Sequence, residues 1–271
     1  MTRFSECFLL VFGQLAAGGV IGLAVPPFAV IERGFYKSSA AVFLAAALVF
    51  LIGKGALAAR PDAVPSPFEF VIWGAFVMAL GTYTASLWGR RPRLTARTYT
   101  LTLFAAVAAL GVSSTAYRLG PALGPTALLY PLGFVLSALV LGAVATGMLL
   151  GHWYLIDLGL SIEPLRRLQR YYTTVLLAQL AVLALTLAAL AAHPGPARDA
   201  VQLLWTEHAG LLVLRVVLGP LAALGIGVLI QRTLQIPQTM AATGLFYIAI
   251  LAVLVGEMLG RLILFRTSLP L

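Results

Sequence analysis

Apolar residues fall in eight long runs separated by short polar segments: 8–31, 40–58, 68–88, 99–117, 128–150, 172–192, 211–230 and 243–265. About 20 predominantly apolar residues suffice for a helix to cross the hydrocarbon core of a bilayer. A helix satisfies its own backbone there, so the pattern predicts an all-α chain. The expectation is one integral-membrane domain over residues 1–271, a polytopic bundle of eight transmembrane helices. Pro26-Pro27 is expected to break the first helix near its end and free carbonyls there. Pro67, Pro131 and Pro237 lie near helix starts, where proline is tolerated. The largest connections are 153–171 and 193–210. The second carries Val201, Leu203, Leu204 and Trp205 beside Glu207 and His208, and is expected to form a short interfacial helix. The first run starts close to Met1 without a small-residue cleavage site before a polar mature domain, so it reads as a retained span.

Composition agrees with this reading and narrows the chemistry. The chain is 61% hydrophobic and 10% charged, with a mean hydropathy of +0.99. That is far from a soluble domain. A net charge of +9 would suggest nucleic acid in a soluble protein. Here the bases cluster in short loops, as orientation in a membrane requires, and no nucleic-acid partner is expected. The single cysteine, Cys7, excludes a disulfide and a cysteine-ligated iron–sulfur cluster within this chain. His152, His193 and His208 lie at unmatched depths, so no bis-histidine haem is expected. No His, Cys or carboxylate set has metal-ligand spacing. Gly13-Gln14-Leu15-Ala16-Ala17-Gly18-Gly19 lacks the Lys-Ser/Thr of a phosphate loop, and its glycines read as packing positions. His152-Trp153-Tyr154 reads as an interfacial aromatic anchor.

The charges also predict orientation. Arg33, Lys37, Arg90, Arg91, Arg93, Arg97, Arg166, Arg167, Arg170 and Arg232 occupy the first, third, fifth and seventh loops. Arg3, Lys54, Arg60, Arg118, Arg198 and Arg266 occupy the other face. The positive-inside rule then puts both termini on the non-cytoplasmic side. On that topology Glu69, Arg215, Glu257 and Arg261 all fall near the non-cytoplasmic face. Lys54, Tyr117 and Arg118 join them there, with Glu6 and Gln14 in the same half of the first span. Ionisable residues in apolar runs are costly and mark candidate sites. In Gly256-Glu257-Met258-Leu259-Gly260-Arg261 the charged pair shares one helix face, and the glycines have the spacing that lets another helix approach. Two readings stand: the charges pair to hold the bundle, or they bind a polar head group and pass protons to it.

Several short motifs recur in order along nearly the whole chain. They are Val11-Phe12-Gly13-Gln14 with Ala17-Gly18-Gly19, then Tyr117-Arg118 and Tyr130-Pro131-Leu132-Gly133-Phe134. Leu214-Arg215-Val216-Val217-Leu218 follows, and then Gly256 to Arg261 with Phe265 beyond. In order and spacing they resemble the membrane-anchor subunit of the dimethyl sulfoxide reductase family (DmsC-like, more distantly NrfD- and PsrC-type anchors). The resemblance implies a haem-free anchor in the bacterial inner membrane that exchanges electrons with menaquinone or ubiquinone. Its implied partners are an iron–sulfur electron-transfer subunit, a molybdopterin catalytic subunit and membrane lipid. It links Glu69 and Arg215 to quinol binding and matches Glu257 and Arg261 to the family's terminal motif; with them as candidate quinone contacts, burial makes Glu69 or Glu257 the expected proton acceptor. One departure matters. The family's His-Leu-Gly at the end of span two reads Lys54-Gly55-Ala56 here. Either Lys54 or Tyr117 replaces the histidine, or the subunit is a structural anchor without a quinone site. A small-molecule or ion transporter is the third reading; the absence of an inverted repeat and of mid-membrane charges weighs against it.

Overall fold

The computed structural model describes residues 2–59, 66–119, 127–157 and 159–271, and its secondary structure is helical throughout. The helices are α1 (Thr2–Gly22), α2 (Arg33–Ala58), α3 (Pro67–Ser86), α4 (Pro92–Thr115) and α5 (Leu129–Trp153). They continue as α6 (Glu163–Ala192), α7 (Pro196–Glu207), α8 (Ala209–Val216), α9 (Ala222–Gln235) and α10 (Thr239–Thr267). Helices α8 and α9 form one span joined by a π turn, so eight segments among the described residues are long and apolar enough to cross a membrane. The chain is a multi-pass membrane protein by helix length and hydropathy. Arg60, one of the charges counted for orientation, lies outside the described residues.

Helix boundaries depart from the apolar runs in a consistent way. Helix α2 starts at Arg33 rather than residue 40, α4 at Pro92 rather than 99, and α6 at Glu163 rather than 172. In each case the first turns are polar: Arg33 and Lys37, Arg93 and Arg97, Arg166 and Arg170. Hydropathy follows the hydrocarbon core, while the hydrogen-bonded helix continues beyond it. Helix α1 ends at Gly22, short of the expected residue 31 and ahead of Pro26-Pro27. The carbonyl of Pro26 then accepts a hydrogen bond from the Tyr36 hydroxyl at 2.9 Å. The short helix expected in the 193–210 connection is α7. Its Ala197, Ala200, Val201 and Leu204 face inward while Trp205 is exposed.

The seventh span is not the plain helix that its apolar run suggests. Gly219 has φ −84° and ψ −105°, outside the helical region, and Pro220 follows it. Proline lacks the N–H of the α-helical ladder and displaces the carbonyl four residues back. The chain absorbs both effects in the π turn Val217–Leu221. The expected aromatic anchor is also corrected. Trp153 packs inward against Gly34 and lies 6.3 Å from the Phe35 ring. Tyr154 is buried, and its hydroxyl donates to the Ser161 carbonyl at 2.5 Å. Only His152 of the three is exposed.

Helix α5 is the centre of the bundle, packed against α1, α4, α6 and α10. The crossing with α1 is backbone on backbone. A Cβ on Gly18 would lie 1.6 Å from the Ala138 carbonyl oxygen, and one on Gly142 would lie 2.0 Å from the Gly18 carbonyl carbon. Only glycine permits that approach, as the packing reading of the first span expects. Gly13 admits Phe50 and Trp73, and Gly19 admits Phe43. The outward face carries Ile52, Met78, Leu101, Phe104 and Leu251, all well exposed, as lipid contact requires.

Candidate functional site

The ionisable residues expected to converge at one end of the bundle divide into two clusters at different depths. The shallow one is built by the end of α2, the start of α3 and the end of α4. Ser66 caps α3, its hydroxyl accepting from the Glu69 backbone N–H at 3.3 Å. In a full capping box the Glu69 carboxylate would return to the Ser66 N–H. It turns inward instead. One oxygen accepts a hydrogen bond from the Ser113 hydroxyl at 2.6 Å, and the other meets Lys54 Nζ at 3.0 Å. The Ser113 oxygen in turn accepts from the Trp73 indole N–H at 2.8 Å. Trp73 is held by the Phe50 ring, 4.2 Å away, over which Lys54 also sits. The Glu69 and Lys54 side chains keep 11% and 31% of their surface exposed. This cluster is therefore reachable from the bundle's edge.

The second cluster joins α5, α6, α8 and α10. Glu257 accepts from Arg215 Nη2 at 2.8 Å and from Gln179 Nε2 at 2.7 Å through one oxygen. Its other oxygen accepts from Arg261 Nη2 at 3.1 Å. Arg261 also donates to the Ser137 hydroxyl at 2.5 Å and lies 5.0 Å from the Phe134 ring centre. The three charged side chains are 1% exposed. Arg261 therefore does not snorkel to the interface; it fixes Glu257. At 1.5 Å per residue Glu257 lies about 15 Å of helix inside the end of α10. Glu257 is thus set further from its helix end than Glu69, the third residue of α3.

Glycines make the second cluster possible. A Cβ on Gly256 would lie 2.4 Å from the Gly219 Cα, so the π turn of the seventh span rests directly on α10. A Cβ on Gly260 would lie 2.8 Å from Arg215 Nε and 2.5 Å from the Leu271 backbone oxygen. Two guanidinium groups and one carboxylate leave one positive charge in excess. The Nε atoms of Arg215 and Arg261 have no hydrogen-bond partner among the described residues.

Tyr117 stands between the clusters. Its ring stacks on Phe134 at 5.9 Å and meets Phe265 edge-on at 5.2 Å, and Phe134 carries Arg261 on its ring. Gln14 is fully buried, its amide donating to the Phe134 carbonyl at 3.4 Å. Glu6 is half-buried, as is Arg118. Of the residues that complete the clusters, Trp73, Ser113, Ser137 and Gln179 carried no distinct sequence signal. Ser66-Pro67-Phe68-Glu69 did, since it matches the capping-box pattern and marks Glu69 as a helix-start residue.

Comparison with known protein families, curated proteins and solved structures finds no significant match to this chain.

Proposed function

We propose that the chain is a quinone-interacting membrane-anchor subunit of a bacterial respiratory oxidoreductase, in the cytoplasmic membrane with both termini on the non-cytoplasmic side. The observation that supports it best is the shallow, reachable chain Lys54–Glu69–Ser113–Trp73. It offers a carboxylate, an ammonium and a hydroxyl at the level where a quinone head group enters from lipid. Quinol supplies two electrons and two protons when it is oxidised. Glu69 is placed to accept a hydrogen bond and then the two protons in turn, each passed to the water at this end of the bundle before the next arrives. Lys54 stands where the family pattern has a histidine, and its charge favours the negative character that grows on the head-group oxygen. Ser113, held by Trp73, keeps the carboxylate aimed. The electrons go to an iron–sulfur partner bearing on this end of the bundle, with a molybdopterin subunit beyond it. Arg215, Glu257 and Arg261 hold the helices that frame the site rather than touching the head group.

Titration of the purified protein with a short-chain quinone, read by tryptophan quenching, tests this reading. Saturable quenching is expected in the wild type, together with its loss in Glu69→Gln and in Lys54→Gln. Equal quenching in wild type and both variants would remove the site from this cluster. A second reading, a structural anchor without a quinone site, draws on the sealed Arg215–Glu257–Arg261 cluster. Quinone extracted at about one per chain from the purified complex would decide against it. The transporter reading gains one observation, the interrupted α8–α9 span beside deep charges. Solute uptake by the isolated protein in liposomes is its test.

A further inference from the structure

At the opposite end of the bundle, the first turns of α6 stand between two cavities. The larger, about 700 Å³, is lined by Pro27, Val30, Ser161, Glu163, Arg167 and Arg170 among others. The smaller, about 280 Å³, shares Glu163 and Arg170 and adds Arg166 and Gln169. The three arginines differ in how they are engaged. Arg166 donates through Nη2 and Nε to the Leu234 carbonyl at 2.8 and 3.3 Å, closing the end of α9. Arg170 pairs with Glu163 at 2.6 Å. Arg167 lines the larger cavity, and among the described residues no hydrogen bond or ion pair engages it. The lining of that cavity therefore carries one positive charge in excess.

We propose that this cavity binds the phosphate of an anionic phospholipid head group. The guanidinium groups of Arg167 and Arg170, one turn apart on α6, would share the phosphate oxygens. Ser161 lines the same space. Pro27 and Val30 supply an apolar wall for the glycerol and the first methylenes, and Phe28 of the same loop is exposed beside them. The level is right for a lipid rather than a free ion. The arginine turn of α6 lies just before its apolar run begins, at the edge of the hydrocarbon. Basic pockets between membrane helices recognise lipid head groups in this way. Glu163 is the internal competitor, since it occupies Arg170 in this structure.

The test is lipid retention by the purified full chain, counted by native mass spectrometry in micelles of phosphatidylglycerol and phosphatidylcholine. One phosphatidylglycerol is expected to be retained in preference to phosphatidylcholine. Arg167→Gln is expected to weaken that retention by about fivefold. Glu163→Gln is expected to strengthen it, because it frees Arg170. Arg97→Gln makes the same charge change at an exposed position of the same bundle end, and retention is expected to be unchanged. Equal loss in Arg97→Gln and Arg167→Gln would reduce the effect to general surface charge and overturn the site. So would an absence of preference for phosphatidylglycerol. Displacement of the lipid by excess inorganic phosphate would make this a free-phosphate site and overturn the lipid assignment.

Discussion

Glu257 and Glu69 are both carboxylates in apolar helices, yet they predict opposite consequences on substitution. Glu257 is sealed between two arginines, so Glu257→Gln leaves two guanidinium groups facing each other without a counter-charge. Removing one partner of a buried ion pair costs about 3–5 kcal/mol. Arg215→Ala leaves the Glu257–Arg261 pair balanced, so it is expected to cost less than Glu257→Gln. Thermal unfolding in detergent should show Glu257→Gln well below the wild type and Arg215→Ala between the two; unchanged midpoints would mean that the cluster does not hold the bundle. Glu69 keeps 11% of its side-chain surface exposed and its partner Lys54 31%, so Lys54 can turn to solvent when the carboxylate is neutralised, and the loss is expected to be about 1 kcal/mol. Glu69→Gln should therefore unfold close to the wild type, which makes it a clean probe of function. The five charged residues of the two clusters were legible as candidates because charge in an apolar run is expensive. Their division into two clusters was not. It depends on Ser113, Ser137, Gln179 and Trp73, whose presence in a membrane helix is unremarkable until packing shows what they face.

Among the elements, the eight spans were legible from hydropathy, but their ends and the interruption of the seventh were not. The ends lie in polar turns that hydropathy does not register. Gly219-Pro220 is written in the sequence, but it sits inside an unbroken apolar run that masks it. What the π turn does depends on its neighbour, since Gly219 meets Gly256 backbone to backbone. A pair of substitutions separates that contact from ordinary glycine tolerance. In Gly256→Ala the new methyl lies 2.4 Å from the Gly219 Cα, so the seventh span must move off α10 and carry Arg215 away from Glu257. Overpacking of this kind costs about 1–3 kcal/mol. Gly244 is on the same helix, and a Cβ there meets nothing within 4 Å. Gly244→Ala should be neutral or stabilising by up to about 1 kcal/mol, from helix propensity alone. Unfolding midpoints of the two variants in parallel check this; equal behaviour would mean that the Gly219–Gly256 contact is not tight.

At the scale of the whole molecule the bundle has two unlike ends. One carries the arginine-rich turns of α2, α4 and α6, and Arg33 ties α2 to the α3–α4 turn by donating to the Gly89 carbonyl at 2.9 Å. The other carries both charged clusters and the short helix α7. The proposed orientation turns this second end to the non-cytoplasmic side, and with it the electron-transfer partner and the proton outlet. The positive-inside rule predicts that orientation from the basic turns. Cysteine labelling in intact cells tests it directly. Cys7 is buried and is first replaced in a Cys7→Ala background. Glu32→Cys then reports the arginine-rich end and Glu207→Cys the α7 end; both positions are exposed. A membrane-impermeant maleimide added outside should label Glu207→Cys and spare Glu32→Cys until the membrane is opened. The reverse pattern would turn the molecule over. Glu69 and Lys54 would then meet the cytoplasmic side, and any electron-transfer partner would have to dock there.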